Sequence, residues 1–199
     1  MFYVGLDLGQ RQDFSALAVV EREEQRFALV PAPRQLSVRH LERMGLGTPY
    51  PQVVKRVCEV MGHPKLAHGS RLVVDATGVG APVVDMLRSA GLGVRLTTVT
   101  ITSGERAQGE GERWRVPRGD LLAGLEVLLE AGELKVSKRL REAERLVREL
   151  EAMRRVSFSR SGHKSGGGEH DDLVFAAALA VWRARRAENL LGGTRLPGI

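Results

Sequence analysis

Residues 2–8 alternate apolar side chains on both faces around a single carboxylate, Asp7, and predict a strand buried at the centre of a sheet. Gly9 to Asp13 form a polar turn. Phe14–Glu21 then reads as a second strand and Arg26–Pro31 as a third, and two short connections predict an antiparallel meander. The stretch 31–51 carries four prolines and shows no clear period. Pro51 opens a helix, where its missing N–H costs nothing, with Val53, Val54, Val57, Val60 and Met61 as the apolar stripe.

Arg71–Ala76 has the composition of a buried strand. Pro82 begins a helix with Val83, Val84, Leu87 and Ala90 inward and Gly91 at its end, and Val94–Ile101 is again β-rich. Strand, helix and strand in that order predict a right-handed crossover and a parallel pair. Pro117 starts a helix marked by Leu121, Leu122, Leu125, Leu128 and Leu129, followed by a short edge strand at 134–136. Ser137 fits an N-cap for a helix over 138–153 with Leu140, Ala143, Val147 and Leu150 inward. Val156–Ser161 has the pattern of a strand, 162–168 that of a flexible linker, and Asp171–Glu188 that of an alanine-rich final helix. The expected fold class is α/β: a mixed central sheet, antiparallel meander first and parallel strands after, flanked by helices. One domain over 1–191 and a flexible tail over 192–199 are expected.

Composition narrows the partners. Hydrophobic residues at 43% and charged ones at 27% fit an ordinary globular protein, and the net charge of +6 favours anionic partners, nucleic acid ahead of membrane. Only five of the 30 basic residues are lysine, leaving 25 arginines, which suit bidentate phosphate contacts. One cysteine, Cys58, excludes an internal disulfide and a cysteine-based zinc cluster. No signal peptide and no apolar run of membrane-spanning length is visible, so a cytoplasmic location and no membrane partner are expected.

Three acidic stretches then stand out: Asp7 inside the first strand, Asp75 at the end of Leu72-Val73-Val74, and Asp171-Asp172 after His170. An aspartate in an apolar run is costly unless something cationic meets it. Asp75 sits at the carboxyl edge of a strand, where open α/β sheets place ligands. One acid suffices to cap a helix, and two in sequence repel each other unless a cation lies between them. Carboxylate oxygens suit Mg²⁺ or Mn²⁺, and a pair of such ions can hold both the attacking and leaving oxygens of a phosphodiester. Asp13 is a further candidate ligand or a turn stabiliser, and His170 a helix-entry residue or a carboxylate partner.

Taken together, YVGLDLGQRQDFSALAVVE, VVDATGVGAPVVDMLRSAG, VPRGDLLAGLEVLLEAGEL and HDDLVFAAALA resemble, in that order, the nuclease domain of the large terminase subunit of tailed bacteriophages. The resemblance implies a ribonuclease H-like fold and a metal-dependent endonuclease that cuts concatemeric viral DNA during packaging in a bacterial host cell. It implies Asp7, Asp75 and the Asp171-Asp172 pair as catalytic metal ligands, Asp13 as an assisting acid, and two Mg²⁺ or Mn²⁺ ions. It also implies double-stranded DNA as substrate, with a terminase ATPase domain, small subunit and portal as partners. The chain lacks a G-x-x-x-x-G-K-[ST] phosphate loop, so the ATPase motor is expected elsewhere. An excised domain, a separately encoded nuclease and a prophage remnant all fit that departure.

Residues 102–115 read either as a plain connector or as an exposed hairpin contacting DNA. On the second reading Arg106, Arg113 and Arg115, with Arg118 and Lys164, hold the backbone and leave base identity unread. Three other readings stay open: a Holliday-junction-type resolvase of the same fold, an actin-like nucleotide-binding module suggested by GLDLG and DATGVG, and a non-catalytic basic DNA-binding domain.

Overall fold

The structure, a computed structural model, describes residues 1–9, 13–23, 35–78, 80–158 and 170–191. Its strands are β1 (Phe2–Asp7), β2 (Ala16–Arg22), β3 (Leu36–Arg43), β4 (Ser70–Asp75), β5 (Leu96–Thr102), β6 (Gln108–Glu110), β7 (Arg113–Pro117) and β8 (Leu134–Val136). Its α-helices are α1 (Tyr50–Met61), α2 (Pro64–Ala67), α3 (Gly80–Leu87), α4 (Arg118–Glu130), α5 (Ala143–Phe158) and α6 (Asp172–Leu191). Among the described residues all strands join one sheet in the order β6-β7-β5-β4-β1-β2-β3-β8. β1, β2 and β3 form the antiparallel meander, while β4 pairs parallel with β1, β5 with β4 and β7 with β5.

The apolar positions explain why β1 is central. Tyr3 faces the helix layer of α4, α5 and α6, whereas Val4 and Leu6 face the layer of α1 and α3. The same alternation sends Ala16, Ala18 and Val20 of β2 to the first layer and Leu17 and Val19 to the second. Gly5 has no side chain because α6 lies directly on it: a Cβ there would fall 1.9 Å from the Ala176 carbonyl oxygen. The buried alanines 176, 177, 178 and 180 complete that close approach.

The third strand of the meander is Leu36–Arg43, inside the proline-bearing stretch that showed no period, and the expected strand at Arg26–Pro31 lies outside the described residues. Within 102–117 the structure forms a hairpin: 108–110 and 113–117 pair antiparallel on the sheet edge. Ala90 is exposed rather than inward: after Leu87 the helix widens into a single π turn, with Gly91 at φ 84°. The helix after β8 starts at Ala143, later than expected, and takes in 156–158, the first half of the expected strand, whose remainder at 159–161 lies outside the described residues. Its buried positions are Ala143, Leu146, Glu149 and Ala152, so Val147 faces solvent. The linker 162–168, with Lys164, and the tail 192–199 lie outside the described residues. No helix among the described residues is long and apolar enough to cross a membrane.

Candidate active site

Parallel pairing of β1 and β4 sets Leu6 opposite Val74, so Asp7 and Asp75 are the next residues in register at the carboxyl ends of adjacent strands. Strand alternation turns both toward the face that carries α6. α6 runs antiparallel to β1: Gly5 lies under Ala176 and Ala180, and the start of β1 lies near Ala184, whose carbonyl accepts from Arg22 beside Met1. Stepping four residues back along the helix, about 6 Å, and two forward along the strand, about 6.6 Å, places the start of α6 over Asp7. Acids from three distant points of the chain therefore meet at one edge of the sheet.

Their charges register on one another. Burial raises the Asp7 carboxyl well above its ordinary range, and Asp75, Asp172 and Asp171 push it further in the same direction, against a smaller opposite pull from Arg118. Burial also raises Asp75, although the Thr77 amide donates to its Oδ1 at 2.8 Å. Asp172 is raised by burial as well, offset by its bond to Arg43.

Helix capping does not account for the Asp171-Asp172 pair. The first free amides of α6, those of Leu173 and Val174, donate to Glu149 Oε2 from α5, at 3.0 and 3.3 Å. With that duty taken by Glu149, the two aspartate side chains are held by arginines. Arg118, at the start of α4, donates to Asp171 Oδ2 at 2.6 Å and lies over the Phe175 ring. Arg43, at the end of β3, donates to Asp172 Oδ2 at 2.6 Å and lies 3.8 Å from the centre of the Phe14 ring. His170 packs edge-on against the same Phe14 ring.

The sequence candidates fall into groups. Asp7, Asp75, Asp171 and Asp172 share one electrostatic site, and Arg118 joins it as a counterion rather than standing apart on a loop. Asp13 is exposed in the β1–β2 turn and is not among the acids acting on Asp7. Arg106 and Arg115 line a groove of about 630 Å³ with Thr102, Ser103, Gly104, Glu105 and Gln108, just past the carboxyl end of β5. Arg113 is exposed two residues back on the same face of β7. Lys164 lies outside the described residues. Two buried residues of the site escaped sequence reasoning: Arg43 and Glu149.

A hard divalent cation fits the donor chemistry, an all-oxygen set in which Asp7 is raised by burial and by the charges of the other three acids. In the arrangement described, no three acidic, histidine or cysteine side chains among the described residues stand close enough to enclose one ion. Arginines pair instead with one oxygen of each helix acid, Arg118 with Asp171 Oδ2 and Arg43 with Asp172 Oδ2.

The chain can now be set beside solved structures. The nuclease domain of the g2p large terminase of bacteriophage SPP1, with bound Mn, superposes with a TM-score of 0.56 at 14% identity, over 92% of this chain and 86% of that one. The Mn-soaked terminase nuclease domain of human cytomegalovirus gives 0.52 at 14% identity, over 90% and 81%. The fold is ribonuclease H-like. RuvC of Thermus thermophilus spans 98% of both chains at 14% identity, but its TM-score of 0.48 is too loose to bear on function. No family model matches the chain, and no curated protein does.

Proposed function

We propose that this protein is a divalent-metal-dependent endonuclease that cleaves double-stranded DNA in the manner of a terminase nuclease. One observation carries the reading: four carboxylates from three separated segments are gathered at the carboxyl edge of the sheet, and the innermost, Asp7, is raised first by burial and then by the charges of the other three. Such an arrangement is poor for an empty fold and good for a cation. The shared fold with two terminase nuclease domains, described with Mn, supports the choice of Mn²⁺ or Mg²⁺ and of DNA.

Asp7 and Asp75, on adjacent rigid strands, form the fixed half of the site. Asp171 and Asp172, at the head of a helix, form the adjustable half. Together these four acids would hold two Mg²⁺ or Mn²⁺ ions, which would supply Lewis acidity for phosphodiester hydrolysis by water. The acids hold no covalent intermediate and need no proton of their own. Arg118, once off Asp171, is placed to meet a phosphate oxygen beside the scissile bond. Arg106 and Arg115, which line the groove past the end of β5, would hold the DNA backbone. Concatemer cutting during packaging, with a terminase ATPase domain, small subunit and portal as partners, belongs to the same proposal.

The test is cleavage of supercoiled plasmid. Wild-type protein is expected to nick and then linearise it with Mn²⁺ or Mg²⁺ and to be silent with EDTA. Asp75→Asn is expected to lose cleavage while keeping its melting temperature; cleavage retained in that variant would falsify the site. A four-way junction cut in strong preference to linear duplex would favour a resolvase instead.

A further inference from the structure

The buried cluster of Arg43, Asp172 and Glu149 is left incomplete in a specific way. Their side chains are 9%, 6% and 6% exposed. Arg43 spends one terminal nitrogen on Asp172 Oδ2 at 2.6 Å. Its other terminal nitrogen stands 3.9 Å from Glu149 Oε1, beyond hydrogen-bond range. Glu149 Oε1 and Arg43 Nε are both buried without a hydrogen-bond partner among the described residues. A buried donor and a buried acceptor left unpaired are each costly, and each calls for an explanation. Glu149 cannot drift to close the gap, because its Oε2 is pinned by the Leu173 and Val174 amides. The gap between Arg43 and Glu149 Oε1 is short, and the flat Arg43 guanidinium is stacked on the Phe14 ring, a contact that does not fix its in-plane orientation.

We propose that Arg43 is an exchangeable counterion: it neutralises Asp172 when no cation is bound and passes to Glu149 Oε1 when a divalent cation takes Asp172. Glu149 is thus a positioning residue that fixes the head of α6 with one oxygen and receives the displaced arginine with the other. The exchange keeps a positive charge on Asp172 at all times, so the buried acids are not left to repel one another while the site is empty. It also sets the cation affinity, because a cation must outcompete Arg43 and is helped by the ion pair that Arg43 gains with Glu149. This inference rests on the metal-site reading above.

Mn²⁺ binding measured by calorimetry, without DNA or turnover, tests it. Arg43→Gln removes the competitor and is expected to bind Mn²⁺ about five- to tenfold more tightly than wild type, with a lower melting temperature in EDTA. Glu149→Gln keeps an oxygen for the two amides but loses the receiving charge, and is expected to bind Mn²⁺ about fivefold more weakly. In the double variant the Glu149 effect should vanish, because it acts only through Arg43. Equal or weaker Mn²⁺ binding in Arg43→Gln overturns the exchange, as does an undiminished Glu149 effect in the double variant. If Arg43→Gln does not fold, unchanged binding in Glu149→Gln alone overturns it. Wild-type binding that Asp75→Asn abolishes leaves the metal-site reading standing in any of those cases, whereas no Mn²⁺ binding by wild type overturns both.

Discussion

Asp7 stands where strand register, helix placement and charge all converge, and its substitution separates stability from function. Replacing it by asparagine removes one charge from a group of four that repel each other. Metal-free Asp7→Asn protein is therefore expected to be more stable than wild type by on the order of 1 kcal/mol, a rise of about 2–4 °C in melting temperature. It should also lose the rise in melting temperature that Mn²⁺ gives wild type; thermal scans with EDTA and with Mn²⁺ check both. Glu149 makes a second residue-level prediction. Burial pushes its carboxyl from an ordinary 4.5 up to about 7, against the pull of the two amides and Arg43. The folded chain thus holds that proton more firmly than the unfolded one. The associated stability is full below about pH 4.5 and lost as pH rises through about 7. Wild-type melting temperature should accordingly fall relative to Glu149→Gln between pH 5 and pH 7.5, in EDTA. Asp7, Asp75 and Asp171-Asp172 were legible in the sequence because an acid in an apolar run is anomalous. Glu149 is such an acid too, on a buried stripe with Ala143, Leu146 and Ala152, but a stripe drawn through Val147 and Leu150 hid it. Arg43 carried no signal, because a basic residue at a strand end is common.

At the scale of elements, the contact between β1 and α6 positions the site, and Gly5 is its narrowest point. A Cβ at Gly5 would meet the backbone of α6, which cannot step aside like a side chain. Gly5→Ala is expected to destabilise at the upper end of the ~1–3 kcal/mol seen for overpacked cores, and to weaken Mn²⁺ binding by lifting the helix head off Asp7. Denaturant unfolding and calorimetry read the two effects; a Gly5→Ala protein as stable as wild type would contradict this packing. The strands of the meander and crossover were visible as alternating or continuous apolar runs. β3 was not, since Leu36–Arg43 mixes Arg39, His40, Glu42 and Arg43 with few apolar positions and follows prolines. The β6–β7 hairpin lacked a period for a similar reason: only Val116 and Pro117 of its strands are buried.

For the molecule as a whole, a net charge of +6 and an arginine-lined groove just past the end of β5 fit binding through phosphates. The logarithm of DNA affinity should fall linearly with that of salt concentration. Exchanging Arg106 and Arg115 for alanine together should reduce that slope by about 2, with no change in sequence preference. An unchanged slope in filter-binding or anisotropy titrations would move the DNA path elsewhere. The mixed sheet, antiparallel meander first and parallel strands after, followed from the order of apolar segments, so the fold class was readable in the sequence. What could not be read was how the acids are held without metal, because that depends on partners from β3, α4 and α5 that lie far from them in sequence.

The most direct measurement is a crystal structure of the protein soaked in Mn²⁺, read through the anomalous signal of the metal. The account predicts anomalous peaks between Asp7, Asp75 and the Asp171-Asp172 pair, with Arg43 moved onto Glu149. Well-ordered acids with no peak between them, at saturating Mn²⁺, would contradict it.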